Sequence, residues 1–206
     1  MTLYELKPRF QALLRPLVHA LFAKGVTANQ VTLAAAAGSI VVGLIAAFAG
    51  ARQPWVFLIY PIWLFVRMAL NAIDGMLARE HAQKSPLGMF LNELCDVVSD
   101  LALILPLALV APFSPAMTVI FASLAALTEF AGALGPSIGA SRRYDGPLGK
   151  SDRALIVGAL GLWIGLGGSL PGWTAAIMPL LIALSIITVV NRVRSALREA
   201  ASSGPN

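Results

Sequence analysis

Charge is scarce in this chain. Of its 206 residues only 12% are Asp, Glu, Lys or Arg, while 58% are hydrophobic. An ordinary soluble domain carries about twice that charged share. The scarcity excludes a well-solvated globular surface and, with a mean hydropathy of +0.79, places the chain among membrane proteins. Cysteine is scarcer still. Cys95 stands alone, so no intrachain disulfide can form, the redox compartment stays open, and the residue reads as a small apolar filler. The two histidines, His19 and His81, lack the company of a metal-ligand motif. Also missing is an uninterrupted apolar stretch at the N-terminus before a small-residue cleavage site. Lys7, Arg9, Arg15 and Lys24 break it, which predicts no signal peptide. No internal repeat or low-complexity segment is present, and only the closing SSGPN reads as a loose tail.

The cations that do occur are placed by topology. The formal net charge is +5, but the charges sit at the ends of apolar runs rather than on one face, which argues against nucleic-acid binding. Six apolar runs, at about 31–50, 55–78, 87–111, 116–137, 154–171 and 174–191, each approach the roughly 20 residues a bilayer core requires. Turn chemistry separates them at Gly50 to Pro54, Ala111 to Pro115 and Gly167 to Gly172. With the N-terminus inside, nearly every lysine and arginine falls on the cytoplasmic side; Arg52 falls opposite and Arg67 within a span. The positive-inside rule therefore predicts an all-α polytopic protein with six transmembrane helices, N-in and C-in. Trp55, Trp63, Trp163 and Trp173 read as interface markers.

Ahead of the spans, segment 2–23 is amphipathic. Leu3, Leu6, Phe10, Leu13, Leu14, Leu17, Leu21 and Phe22 recur at helical spacing, with Lys7, Arg9 and Arg15 off the stripe. Pro8 and Pro16 are expected to bend it. It suits a helix in the membrane interface or one packed on the membrane domain. The expected organisation is a juxtamembrane helix over 1–26, a membrane domain over 27–195 and a cytoplasmic tail over 196–206.

Polar residues within the membrane are costly, about 2.5–3.5 kcal/mol for a charge at a helix centre, and default to function. Here they concentrate in residues 71–100, with Asn71, Asp74, Asn92, Glu93, Asp96 and Asp100. Asn71 and Asp74 share a helical face with Gly75 and Ala78, and Asn92 shares one with Asp96. Both pairs lie near the cytoplasmic ends of consecutive antiparallel helices, so their oxygens can converge on a hard divalent cation. Gly75 and Ala78 leave room for a ring or phosphate, and Arg79 offers a planar fork. Small residues also line helix contacts in membranes, and Asp or Asn also serve as interhelical hydrogen-bond partners. Two paired polar faces with an arginine at the loop favour a site over those uses.

The same stretch resembles the signature of the CDP-alcohol phosphotransferases, D-x2-D-G-x2-A-R-x8-G-x3-D-x3-D. Asp74, Gly75, Ala78, Arg79, Gly88 and Asp96 match it at full spacing, while Asn71 and Asn92 stand where the family has its first and third aspartates. The resemblance implies Mg²⁺ or Mn²⁺ held by Asn71, Asp74, Asn92 and Asp96, with Asp96 as base toward the acceptor hydroxyl. With two carboxylates lost, a second cation should bind weakly or not at all. Asp100, one further turn from Asp96, could join the edge of the site, whereas Glu93 points about 100° from Asn92. The resemblance also implies nucleotide contacts from Gly75, Ala78, Arg79 and Ser85. Asn29 and Thr32, in VTANQVTL, resemble the family's P-N-x2-T contact, although Ala28 replaces the proline and Asn29 or Thr27 could equally be an N-cap.

What the resemblance implies in function is a transfer of a phosphatidyl group from CDP-diacylglycerol to a small alcohol, releasing CMP, in the inner membrane. The working form would be a homodimer and the active site would face the cytoplasm. Loop 138–153 holds Arg142, Arg143, Lys150 and Arg153. These are either topogenic or acceptor-binding, and the second use points to a phosphorylated acceptor such as glycerol 3-phosphate. Glu129, deep in the fourth span, needs a partner, and Arg67 is the candidate unless Glu129 lines the acceptor cavity. The two asparagines also motivate another reading, a catalytically reduced relative that binds nucleotide or lipid as a regulator. A proton-coupled transporter is disfavoured because the acids lie at one end of two helices rather than near the midplane.

Overall fold

The computed structural model describes residues 3–167 and 169–202; from 203 on, the expected tail lies outside the described residues. Seven α-helices follow in order: α1 (Leu3–Ala23), α2 (Ala28–Ala49), α3 (Ile59–Glu80), α4 (Pro86–Ile104), α5 (Pro115–Ala133), α6 (Lys150–Gly165) and α7 (Ile177–Ser202). No strand occurs among the described residues. Among the described residues, four segments are long and apolar enough to cross a membrane: Ala28–Ala49, Pro54–Glu80, Pro115–Ile138 and Gly172–Ser202. The other two members of the expected six differ for physical reasons. Helix α4 carries Asn92, Glu93, Asp96 and Asp100, and α6 is only 16 residues long.

The helix starts are set by capping chemistry. Thr27 is the N-cap of α2: its Oγ1 accepts from the Gln30 backbone N–H at 3.3 Å, while the Gln30 side chain accepts from the Thr27 N–H at 2.9 Å. Asn29 is therefore not the cap and lies in the first helical turn. Ser85 caps α4, accepting from the Gly88 N–H at 3.0 Å, with Pro86 in the first turn where no N–H is needed.

Helix α2 packs against both α3 and α4, α3 against α6, α4 against α5, and α5 against α7. Small residues allow the close approaches. A Cβ on Gly43 would fall 2.1 Å from the Ala102 backbone oxygen, so the α2–α4 seam has no room for a methyl group. Gly43→Ala is expected to cost about 1–3 kcal/mol, read as a lowered unfolding midpoint in detergent micelles; an unchanged midpoint would refute the close approach. Trp63 departs from its expected role. Its ring lies over Gly38 and its Nε1–H donates to Ser39 Oγ at 3.0 Å, which places it in the α2–α3 seam rather than at an interface.

Helix α1 docks on α3 and runs unbroken through Pro8 and Pro16. Fully buried Val18, outside the expected stripe, packs with Leu14 and Leu21 against Ile73, Met76 and Leu77. Arg15 meets Glu80 at 3.0 Å, Phe22 stacks on His81 with centroids 4.0 Å apart, and His19 lies edge-on to His81 at 5.4 Å. The apolar residues thus divide between two uses. One row docks, while Leu13 and Leu17, 76% and 49% exposed, face outward and suit a membrane interface.

Candidate active site

A cavity of about 760 Å³ opens where the start of α2, the end of α3, the start of α4 and the segment after α5 converge. Its lining includes Asn29 and Thr32 from α2, Asp74, Gly75, Ala78 and Arg79 from α3, and Ser85, Gly88, Asn92 and Glu93 around α4. Arg142, from the segment after α5, also lines it. The chain brings these residues together through two local devices. A Cβ on Gly88 would sit 2.9 Å from Asn29 Oδ1, so glycine lets the start of α4 approach the start of α2. A Cβ on Gly75 would sit 3.1 Å from Arg79 Nη1, so the bare face of Gly75 accommodates the guanidinium folded back along the helix. Gln83 fastens the intervening loop by accepting from the Ala28 N–H at 2.7 Å. Gln83 and Lys84 also line the cavity; nothing in the sequence pattern singled them out.

Asp74 and Asp96 are both buried. Asp74 accepts from Thr32 Oγ1 at 2.8 Å and feels the charges of Asp96 and Lys150. Asp96 Oδ1 takes Lys150 Nζ at 2.5 Å and Arg67 Nη2 at 3.4 Å. Its Oδ2 has no protein partner among the described residues. Asn71 and Asp96 are not part of the cavity wall. Two carboxylates and two amides are a donor set of the kind one hard cation takes, and of the four Asp74 and Asn92 lie on the cavity wall. Among the described residues, no group of three or more His, Cys, Asp and Glu side chains is placed to hold a metal.

Several expected site residues are engaged elsewhere. Asp100 does not edge the site: it accepts from Arg67 at 2.7 Å and from Arg153 Nη2 at 2.8 Å. Arg153 is 1% exposed and is not available to an acceptor. Its guanidinium donates to Asp100, to Glu129 at 2.8 Å and to Thr128 Oγ1 at 2.9 Å. The reason is the start of α6, which begins at Lys150 and so carries Arg153 one turn inside. Arg67 is likewise not the partner of Glu129. That carboxylate is shared by Arg153, by Arg142 at 3.4 Å and by Arg192 at 3.5 Å. Arg143 pairs with Asp145 at 2.8 Å and with Glu199. Its hydrogen bond holds Asp145 below the usual carboxylate range, while burial lowers the Arg142 pKa.

Residues 25–190 match the model of the CDP-alcohol phosphatidyltransferase family. The chain belongs to that family. It is a family of transferases, and the cavity wall carries its signature residues at Asp74, Gly75, Ala78, Arg79 and Gly88. Within reach of this CDP-alcohol phosphatidyltransferase is the Escherichia coli (strain K12) inner membrane protein YnbA, 46% identical over 197 residues, or 96% of this chain and 97% of that protein. Two solved structures of Mycobacterium tuberculosis phosphatidylinositol phosphate synthase share the fold. The form with CDP-DAG bound is 20% identical with a TM-score of 0.74, over 93% of this chain and 96% of that one. The form in complex with manganese and citrate is 21% identical with a TM-score of 0.73, over 93% and 92%.

Proposed function

We propose that this protein transfers the phosphatidyl group of CDP-diacylglycerol to a small alcohol, releasing CMP, at the cytoplasmic face of an inner membrane. The observation that carries the reading is the convergence of Asn29, Thr32, Asp74, Gly75, Ala78 and Arg79 on one cavity, which sets oxygen ligands, a bare helix face and a guanidinium around space for a nucleotide diphosphate. The inner-membrane relative and the CDP-DAG and manganese complexes of the structural neighbours support it. Six spans, N-in and C-in, and a homodimer complete the arrangement.

Asp74 and Asp96, helped by the amide oxygens of Asn71 and Asn92, would hold Mg²⁺ or Mn²⁺, which supplies charge neutralisation at the donor's phosphates. Arg79 and Ser85 bind and orient the nucleotide end. Asp96 Oδ2 takes the proton of the acceptor hydroxyl as its oxygen attacks the β-phosphorus. One P–O bond forms, the P–O bond to CMP breaks, and CMP leaves with the electron pair. Lys150 and Arg67, both on Oδ1, keep the carboxylate fixed with Oδ2 open. The direct test is CMP release by purified protein in detergent–lipid micelles with CDP-diacylglycerol, Mg²⁺ or Mn²⁺, and a panel of alcohols. Release that needs one acceptor and stops with chelator is expected; release that ignores both acceptor and chelator would sink the reading.

A second reading, the catalytically reduced relative, draws on the thinned donor set. Asn71→Asp with Asn92→Asp separates the two. A functioning two-carboxylate site is expected to lose roughly tenfold or more in turnover when two negative charges are added beside Asp74 and Asp96. A large gain from a negligible baseline would favour the reduced relative instead.

A further inference from the structure

The phosphatidyl-transfer reading leaves the acceptor's charge open, and the ion pairs at the acceptor end bear on it. From sequence, Arg142, Arg143, Lys150 and Arg153 were the cations available to an acceptor phosphate. Each already has a carboxylate: Glu93 and Glu129 for Arg142, Asp145 and Glu199 for Arg143, Asp96 for Lys150, and Asp100 and Glu129 for Arg153. Only one of these pairs lies with both members on the cavity wall, Glu93 with Arg142. The Arg142 guanidinium is held on three sides. One Nη donates to Glu93, the other meets Glu129 at 3.4 Å, and the group lies 5.0 Å over the Tyr144 ring. Its Nε is buried without a partner.

Resting on that reading, we propose that Glu93 determines acceptor specificity, holding Arg142 so that the site takes an alcohol without a phosphate group. A phosphate at Arg142 would have to displace Glu93 or share the guanidinium with it, and either way would sit beside that carboxylate in a partly buried site, a like-charge contact that disfavours binding. The contacts to Glu93 and Glu129 use two of the five Arg142 N–H groups, and its Nε–H is buried; the remaining Nη–H groups can meet a neutral hydroxyl or carbonyl oxygen without bringing a second negative charge to Glu93. Neighbouring Asn92, on the same wall, adds a neutral amide able to donate and accept where a carboxylate could only accept. The polar groups left at this end of the cavity therefore suit a neutral polyol or amino alcohol better than a dianion. Glu93 is a positioning residue here: it acts through Arg142.

Matched pairs of acceptors test this, glycerol against glycerol 3-phosphate and a cyclic polyol against its monophosphate. With the full-length protein, CDP-diacylglycerol and Mn²⁺, CMP release is expected at least tenfold higher in kcat/KM for the unphosphorylated member. Glu93→Gln should move that ratio at least tenfold toward the phosphorylated member, through KM, while Glu93→Asp should keep the original preference. A second readout is binding of glycerol 3-phosphate to protein loaded with CDP, expected to be undetectable at millimolar concentration in the native chain and gained in Glu93→Gln. Native preference for the phosphorylated member, or a ratio unmoved in Glu93→Gln, overturns the proposal. If no acceptor yields CMP yet Glu93→Gln gains glycerol 3-phosphate binding, the role of Glu93 stands and the transfer reading falls.

Discussion

Asp96→Asn is expected to lower CMP release by roughly 10²–10⁴-fold, the range for loss of a positioned general base, while the protein keeps its fold. The structure separates the two effects. Arg67 has its shorter contact, 2.7 Å, with Asp100 and only 3.4 Å with Asp96, so its charge stays compensated when Asp96 becomes neutral. Lys150, whose side chain is 29% exposed, can turn toward water. Asparagine preserves the volume and still accepts from both neighbours. The measurement pairs turnover with an unfolding midpoint: low activity with an unchanged midpoint is the expected result. Full activity in Asp96→Asn would remove Asp96 from the proton transfer and with it the proposed chemistry.

Arg153→Met is expected to do the reverse, striking stability first. Arg153 lies between Asp100 and Glu129 with 1% of its surface exposed. Replacing it leaves two carboxylates facing one another with one fewer cation, and breaking a buried pair by removing one partner costs about 3–5 kcal/mol. For a chain of this size that is a fall in midpoint on the order of 10 °C. Arg67 and Arg192 still reach Asp100 and Glu129 respectively, so the loss is expected near the lower end of the range. Arg153→Lys keeps the charge but not the fork that serves Asp100, Glu129 and Thr128 together, and should fall between. A midpoint unmoved in Arg153→Met would show that the network contributes little to holding the helices.

These two residues also mark the boundary of what the sequence made legible. The signature spacing brought Asp74, Gly75, Ala78, Arg79 and Gly88 to one cavity, and the short motif before the first span brought Asn29 and Thr32 to the same place. Periodicity within a helix is a local rule, and it worked where the site is built from consecutive elements. The partners of Glu129 are not legible in the sequence, because they depend on how α5 packs against α7 and on arginines that reach it from α6 and from the loop before α6. A boundary error of four residues mattered as well. With α6 taken to begin at 154, Arg153 read as a loop cation; beginning at Lys150, it becomes an interior one. Arg192, one residue past the last apolar run, lies within α7, which continues to Ser202, and is 2% exposed. Glu93 points about 100° from Asn92 along the helix, yet the cavity is broad enough to take in both.

The placement of the buried ion pairs bears on how the chain enters a bilayer. A lone charge at a helix centre costs about 2.5–3.5 kcal/mol to insert, so Arg67, Asp100, Glu129 and Arg153 each hinder insertion of a solitary helix. Arg67 and Asp100 pair within the consecutive helices α3 and α4, and Glu129 and Arg153 within α5 and α6. In a six-span arrangement each hairpin can therefore leave the translocation machinery with its buried arginine already paired, and the Asp100–Arg153 contact joins the two units afterwards. Biogenesis should then proceed in steps of two helices, with chains ended after α4 or α6 resisting alkaline extraction better than chains ended after α3 or α5.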